Sequence, residues 1–232
     1  MRIKELLVKG IKKPQRIPLY VQNRMQYINT VYIRKRVPFT HNEVVDGWGE
    51  TGGGLPQYSA RLYKEVKLFN ETLGGYHARK SLEIGCGYGR LSPWISEHSD
   101  QHYAVEPESA LINDARKLHP NIHFYQAKAQ KLPFPQSHFD LCVTWTVLQH
   151  IPPNELGKAV AEMKRVCEPN AVMVLSEAIG EKDEKKYMRT WSHTLEEWQN
   201  LLSPWKLASH KEQKIEESLA GHMSCMRFER ET

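Results

Sequence analysis

Cysteine is scarce in this sequence, and the few cysteines that occur are far apart. Four are distributed over 232 residues, with no C-x-x-C pair and no cluster of cysteine and histidine. Structural zinc sites and disulfide frameworks both need such clusters. We therefore expect no metal, no disulfide network and a reducing compartment, which favours the cytoplasm.

Long apolar runs are also missing. No stretch reaches the ~18 apolar residues that a membrane-spanning helix needs. The N-terminus lacks an apolar segment followed by a small-residue cleavage site. These absences favour an ordinary folded protein over a membrane-spanning or secreted one.

Positive charge is concentrated at the start of the chain. Residues 1–36 contain ten lysines and arginines and one acid, whereas the remainder has a formal charge of −4. The apolar side chains of residues 2–13 share one helical face. This arm is therefore either a basic amphipathic helix on the anionic inner face of a membrane, or a helix packed on its own domain or on a partner subunit. The mildly acidic remainder predicts no nucleic-acid binding.

Glycine and other turn-forming residues dominate residues 37–55 and predict a long loop. The loop carries Trp48 and precedes the rest of the fold, so it is either a lid over a binding site or a flexible linker. We divide the chain into an N-terminal helical arm with this lid-like loop, residues 1–55, and a larger domain, residues 56–232.

Strand and helix patterns alternate in that domain. Strands are expected at 80–84, 102–106, 122–126, 139–145 and 171–178, with helices at 56–73, 90–98, 108–118 and 153–167. Such alternation predicts an α/β fold with a parallel sheet and helices on both faces. A capping box at Thr194 and Glu197 predicts a further helix, and two final strands are expected within 205–214 and 219–229.

A glycine turn follows the first strand. Residues 80–91 read K-S-L-E-I-G-C-G-Y-G-R-L, and a helix is expected to begin near Arg90. Glycine permits positive φ and close approach of a ligand to the backbone, and the first N–H groups of a helix are unpaired. In doubly wound folds this position is the usual cofactor site.

Two acids narrow the choice of cofactor. Glu106 ends the second strand 21 residues after Gly85, close to the ~20-residue spacing at which a carboxylate meets a ribose. The spacing G-x-G-x-G lacks the late glycine of the dinucleotide fingerprint, which disfavours a dehydrogenase. Glu83 suits a cationic ligand better than a pyrophosphate.

The segment E-I-G-C-G-Y-G, residues 83–89, resembles motif I of the class I S-adenosylmethionine (SAM)-dependent methyltransferases. The resemblance continues in residues 129–140, 147–152 and 165–171 and implies a Rossmann-like, mostly parallel seven-stranded sheet. Lys128 replaces an acid that the family often has there, so the hydrogen bond to the adenine amine is either missing or made by Gln130. The cofactor-binding residues that the resemblance implies are Glu83, Gly85, Cys86, Gly87, Gly89, Glu106, Pro107, Ala129, Gln130, Thr144, Tyr58 and Arg61.

Residues on the acceptor side are harder to assign. A hydroxyl acceptor needs a base near the carboxyl end of a strand, and the candidates are His150, Glu177 and His193, each with a structural alternative. The candidates for acceptor binding are Trp48, Arg189 and Trp191, and Arg189 would suit an anionic acceptor.

The sequence thus predicts methyl transfer to a small molecule or glycan, with O-methylation of a sugar, anionic and lipid-linked, as the leading interpretation. Residues 12–20 resemble the N-termini of bacterial surface-polysaccharide enzymes, which agrees with it. One alternative is C-methylation of a quinone-like ring. Another is a non-catalytic SAM-binding protein that acts through its N-terminal arm.

Overall fold

The computed structural model describes residues 55–180, 190–214 and 222–230. Side chains are described within these ranges except at 55–61, 213–214 and 222–223. The predicted N-terminal arm, Trp48 and Arg189 lie outside the described residues, as do the side chains of Tyr58 and Arg61. The predicted division at residue 55 stays a prediction.

The strands of the described chain form one seven-stranded sheet in the order β3-β2-β1-β4-β5-β7-β6. Strands β1 to β5 pair in parallel, β7 runs antiparallel to β5, and β6 runs antiparallel to β7. The predicted Rossmann-like, mostly parallel sheet is confirmed. The strands are β1 (Ala78–Ile84), β2 (Ser99–Glu106), β3 (His123–Gln126), β4 (Phe139–Trp145), β5 (Cys167–Ser176), β6 (Lys206–Lys214) and β7 (His222–Glu229).

Helices pack on both faces of this sheet. Apolar residues of α4 and α5 meet one face, and those of α1 and α2 meet the other, where α3 also packs against β2 and β3. No helix in the described ranges combines the length and the apolarity needed to cross a membrane. The helices are α1 (Leu55–Leu73), α2 (Ser92–Ser96), α3 (Ser109–Leu118), α4 (Pro153–Val166) and α5 (Leu195–Leu202), with a 3-10 turn at Leu148–His150.

The register of the central strands brings their carboxyl ends to one edge. Ile84 pairs with Val105 of β2 and with Thr144 of β4, and Thr144 pairs with Leu175 of β5. All seven residues of β4 are buried because this strand lies between two others and is covered on both faces. Ligands of open α/β sheets bind at such an edge.

The elements differ from the sequence predictions mainly at their boundaries. β1 begins at Ala78, β2 at Ser99 and β5 at Cys167, each a few residues before the expected start. The helix expected at 90–98 is wrong in extent, since α2 covers only Ser92–Ser96. Pro93 lies in the first turn of α2, where a residue without an N–H is tolerated, so the helix begins only at Ser92. The capping box of Thr194 and Glu197 is confirmed at the start of α5.

Candidate functional site

The glycine turn after β1 folds back onto the end of β2. Gly85, Gly87 and Gly89 have φ values of +74°, +57° and +82°, in the region that L residues avoid. The N–H groups of Gly85 and Cys86 both donate to the carbonyl oxygen of Val105, at 2.7 and 3.0 Å. These backbone hydrogen bonds fix the turn to β2. The turn needs glycine because its backbone has positive φ at three positions.

Glu106 closes one side of this turn. Its carboxylate accepts the N–H of Gly87 and the N–H of Glu108, both at 3.1 Å. Burial raises the pKa of Glu106, and the two backbone hydrogen bonds act against that increase. A Cβ built on Gly87 would meet no atom within 4 Å. Open space at Gly87 beside an oriented carboxylate is what a ribose hydroxyl pair needs.

Glu83 lies under the turn and faces α2. The side chain is 3% exposed, and Oε2 accepts the hydroxyl of Ser92 at 2.5 Å. The same oxygen lies 3.5 Å from Nε2 of His102 on β2. A buried carboxylate near the glycine turn favours a cationic ligand there.

Arg90 connects the turn to α1. Its guanidinium donates to the carboxylate of Glu65, a fully buried residue of α1. Sequence reasoning missed this pair, because a Glu inside a helix is ordinarily exposed to solvent. The contact holds α1 against the cofactor turn.

The predicted adenine-side residues lie between β2 and α4. Ala129 is buried, and Gln130 donates its side-chain amide to Glu155 of α4 at 2.9 Å. The carbonyl oxygen of Pro107 accepts the side-chain amide of Gln126 at 3.0 Å. The amide N–H of Gln130 is therefore engaged within the protein, and its role toward adenine stays a prediction.

The carboxylate of Glu177 organises the segment after β4. Its oxygens accept the hydroxyl of Thr144 at 2.8 Å and the N–H groups of Val147, Leu148 and Gln149 at 3.0 to 3.2 Å. Burial raises the pKa of Glu177 to about 7, although these four donors act to lower it. Such contacts favour a positioning role for Glu177 over that of a base, and they also occupy the hydroxyl of Thr144.

His150 lies at the end of the segment that Glu177 holds. Its ring is exposed, with Nε2 at 3.3 Å from Nε2 of Gln149 and Nδ1 at 3.5 Å from the hydroxyl of Thr190. The backbone of Gln149 also accepts the N–H of Trp191 at 2.8 Å. The structure thus brings together two of the predicted acceptor-side residues, His150 and Trp191.

His193 is in a different environment. Its ring is 7% exposed, packs edge-on against Trp198 at 5.1 Å, and has Nδ1 at 3.4 Å from Glu197. Its backbone carbonyl accepts the N–H of Gly180. These contacts are those of a packed structural histidine, and a catalytic role for His193 stays a prediction.

The cofactor-side residues fit SAM. The open space at Gly87 and the carboxylate of Glu106 suit a ribose, and the buried carboxylate of Glu83 suits the positive charge of this cofactor. Among the described side chains, no group of three or more His, Cys, Asp or Glu could hold a metal ion.

Comparison with known proteins finds a family that part of this chain matches. Residues 82–170 match the family described as "Methyltransferase domain", and the sheet order and turn are those expected for it. Residues 82–170 are therefore similar to the methyltransferase domain that the resemblance in the glycine turn predicts.

The individual curated relatives share less than a third of their aligned residues with this chain. The chain is 28% identical over 99 residues to a probable SAM-dependent methyltransferase of Mycobacterium tuberculosis, covering 43% of this chain and 35% of that protein. It is 29% identical over 126 residues to the ubiquinone/menaquinone biosynthesis C-methyltransferase UbiE of Vibrio parahaemolyticus, covering 50% and 47%. The chain thus spans less than half the length of these curated relatives.

A solved structure shows the same fold. The N-methyltransferase NodS from Bradyrhizobium japonicum, in complex with S-adenosyl-L-homocysteine (SAH), superimposes with a TM-score of 0.63 at 17% identity. The match covers 76% of this chain and 89% of that one.

Proposed function

We propose that this chain transfers a methyl group from SAM to an oxygen of a small-molecule or glycan acceptor, and that a sugar, anionic and lipid-linked, is the leading candidate. The observation that carries the proposal is the exposed ring of His150, at the end of the 3-10 turn that follows β4, in the segment whose Val147 packs against Gly85. A hydroxyl acceptor needs a base beside it.

SAM supplies a methyl group on a sulfonium, which is displaced in line by the acceptor. The residues of this chain supply alignment, which accounts for much of the rate in such reactions. Glu106 and the glycine turn would hold the ribose end, and Glu83 favours the cationic ligand. Tyr58 and Arg61 stay predicted contacts to the cofactor's carboxylate, as Trp48, Arg189 and Trp191 stay predicted contacts to the acceptor.

The contacts of Gln149 orient the ring of His150. The side-chain oxygen of Gln149 accepts the N–H of Ala178 at 2.6 Å, so its amide nitrogen is the atom that faces His150. An amide nitrogen only donates. In the neutral ring Nε2 of His150 therefore accepts this N–H, and a hydroxyl acceptor would reach the lone pair by displacing the amide of Gln149.

The cofactor is tested by calorimetric titration with SAM, SAH and NAD. We expect the wild type to bind SAM and SAH but not NAD, and Glu106→Ala to bind SAM at least tenfold more weakly, because the ribose loses its acceptor. Glu108→Ala is the matched control, since it removes a neighbouring carboxylate but keeps the backbone N–H that donates to Glu106. Binding of NAD instead of SAM would overturn the proposal.

The acceptor is tested by screening sugars, anionic and neutral, with quinols as the second class. With a hydroxyl acceptor, His150→Gln should lower kcat on the order of a hundredfold and remove the acidic limb of the pH–rate profile. An unchanged profile would exclude His150 as the base.

A C-methylation reaction on a quinone-like ring is the second candidate, favoured by the similarity to UbiE. It predicts a product with a new carbon–methyl bond and turnover only with quinols. A non-catalytic SAM-binding protein predicts SAM binding without turnover on any acceptor. Contact of residues 1–36 with anionic membranes is a separate proposal. It is tested by sedimentation with anionic liposomes of the chain with and without this arm. Equal sedimentation of the two would refute it.

A further inference from the structure

Two buried polar atoms lie at the carboxyl ends of the neighbouring strands β4 and β5. They are Nε1 of Trp145, the last residue of β4, and Oγ of Ser176, the last residue of β5. Trp145 is 5% exposed and Ser176 is 1% exposed. Neither atom has a hydrogen-bond partner among the residues that the structure describes. Buried polar groups of folded proteins are paired in the great majority, so two unpaired groups at a ligand-binding edge point to a ligand.

The register of the sheet places these two side chains next to each other. Trp145 pairs with Ser176, and neighbouring strands are about 4.8 Å apart. Side chains two positions apart share one face of a strand. Val143 and Val174, two positions before Trp145 and Ser176, belong with Trp145 to the apolar cluster that packs against α1. Both side chains therefore lie on the α1 face of the sheet.

The pair is level with the glycine turn, on the side away from Glu106. The residues that precede Gly85 and Trp145 pair with each other, so Trp145 is at the level of Gly85. The strand order β2-β1-β4-β5 puts Glu106 on one side of the turn and Ser176 on the other. Because Glu106 is the candidate for the ribose end of the cofactor, the pair lies where the acceptor is expected.

The backbone between the two strand ends is held in an unfavourable conformation. Thr146, directly after Trp145, has φ +56°, which is an outlier for a β-branched residue. Its N–H donates to the carbonyl oxygen of Ser176 and its hydroxyl to that of Trp145, both at 2.7 Å. The ring of Trp145 packs edge-on against Phe69 of α1 at 6.3 Å. These contacts fix both strand ends, and strain that the surroundings enforce in this way is concentrated at ligand sites.

We propose that Trp145 and Ser176 bind one neutral oxygen of the acceptor, a hydroxyl or a carbonyl, and thereby take part in its selection. An indole N–H only donates, whereas a serine hydroxyl donates or accepts. One hydroxyl or carbonyl oxygen therefore provides a partner for both groups. A carboxylate or phosphate is disfavoured at this position, because neither residue supplies the positive charge that a buried anion needs. The inference rests on the proposed function and names two contacts of its acceptor site.

The first test follows the indole N–H signals of the full-length protein by NMR, after labelling with isotopically enriched tryptophan. The protein has six tryptophans, and Trp145→Phe identifies the signal of Trp145 by its disappearance. Methyl glucoside, methyl glucuronide and hydroquinone are added in turn to the complex with SAH. The member that is turned over with SAM should move the Trp145 signal to lower field. The signal of Trp205, whose Nε1 donates to the carbonyl oxygen of Ala171 at 2.8 Å, should stay in place.

Steady-state kinetics with that acceptor give the second test. Trp145→Phe and Ser176→Ala should each raise the acceptor KM about three- to tenfold, the contribution of one hydrogen bond. The value of kcat and the SAM dissociation constant should change little. Ser209→Ala is the matched control, because its Oγ is also buried without a described partner but lies on β6. Ser176→Ala breaks no side-chain hydrogen bond of the free protein, so its free energy of unfolding should equal that of the wild type.

The outcomes separate this inference from the proposed function. If SAH alone moves the Trp145 signal as far as the acceptor does, the N–H binds the cofactor and the inference is wrong. If no member of the panel moves the signal, water alone completes the pair and the inference is also wrong. For an anionic sugar, esterifying its carboxylate should preserve the shift, and loss of the shift would contradict a neutral oxygen. Binding of SAM without turnover of any acceptor would instead refute the proposed function.

Discussion

Val147 occupies the space in which a side chain at position 85 would lie. A Cβ atom on Gly85 would be 2.4 Å from Cγ2 and 2.7 Å from Cγ1 of Val147. The segment that Glu177 holds is therefore packed directly against the cofactor turn. The proposed cofactor turn and the segment that carries His150 meet at this pair of residues.

Gly85→Ala should destabilise the protein by about 3 kcal/mol, because it adds a steric clash with Val147 to a positive φ. Gly87→Ala has the same φ problem but open space, so it should cost about 1 kcal/mol and weaken SAM binding by roughly tenfold or more by filling the cofactor space. Urea denaturation and calorimetry of both variants check this contrast. Equal loss of stability in the two would contradict the close packing at position 85.

The stability contribution of Glu177 should depend on pH. Because its pKa in the folded protein is about 7, above the ordinary value of 4.5, the folded state holds this proton more tightly than the unfolded state. The stabilisation is complete below about pH 4.5 and is lost as the pH rises through about 7. Relative to Glu177→Gln, the wild type should lose up to ~3 kcal/mol of unfolding free energy over this interval.

Urea denaturation of both proteins at several pH values measures this difference, and the other titrating groups cancel in the comparison. A difference that does not vary with pH would show that folding leaves the pKa of Glu177 unchanged. SAM affinity and acceptor KM should both change in Glu177→Gln, because Glu177 holds both Val147, which packs against Gly85, and Gln149, which contacts the ring of His150.

The pair of Glu65 and Arg90 should contribute to both stability and cofactor affinity. Glu65→Gln leaves the partly buried guanidinium of Arg90 without its carboxylate, at a cost of about 2 kcal/mol. Glu71→Gln on the same helix is the matched control: its contact with Lys67 is 3.8 Å long and exposed, so its loss should cost less than about 0.5 kcal/mol. Thermal denaturation compares the two, and equal effects would refute a special role for Glu65.

Asp140 should affect stability alone. Its carboxylate accepts the backbone N–H groups of Arg79 and Lys80 at 3.0 and 2.8 Å, at the end of β4 opposite the cofactor edge. In Asp140→Asn the side-chain oxygen can still accept one of the two N–H groups, but the new NH2 group faces the other, which also donates. The substitution should therefore lower the free energy of unfolding by about 1–2 kcal/mol. Calorimetry with SAM should give an unchanged dissociation constant, and a weaker one would contradict the assignment.

The sequence was most informative where function and fold depend on neighbouring residues. The spacing of Gly85, Gly87 and Gly89 predicted the turn, since positive φ is a local requirement that few residues meet. The alternation of apolar segments predicted the parallel strands, and the 21-residue separation placed Glu106 beside the turn. These features need no knowledge of the rest of the chain.

Contacts between distant positions were not predictable in the same way. The donors to Glu177 lie 28 to 33 positions before it, and Glu65 is 25 positions from Arg90. The extent of α2 was wrong for a local reason, because Pro93 fits only the first turn of a helix and so sets where α2 begins.

The attachment of α1 to the cofactor turn has a practical consequence for chimeric proteins. The carboxyl-terminal half of this helix is fixed by Glu65 and by the buried side chains of Phe69 and Leu73. Leu55 is therefore a suitable splice point: the sequence ahead of it can be exchanged for that of another protein while the anchored half of the helix is retained. A set of such chimeras would test whether the sequence ahead of residue 55 changes acceptor choice while SAM binding is kept.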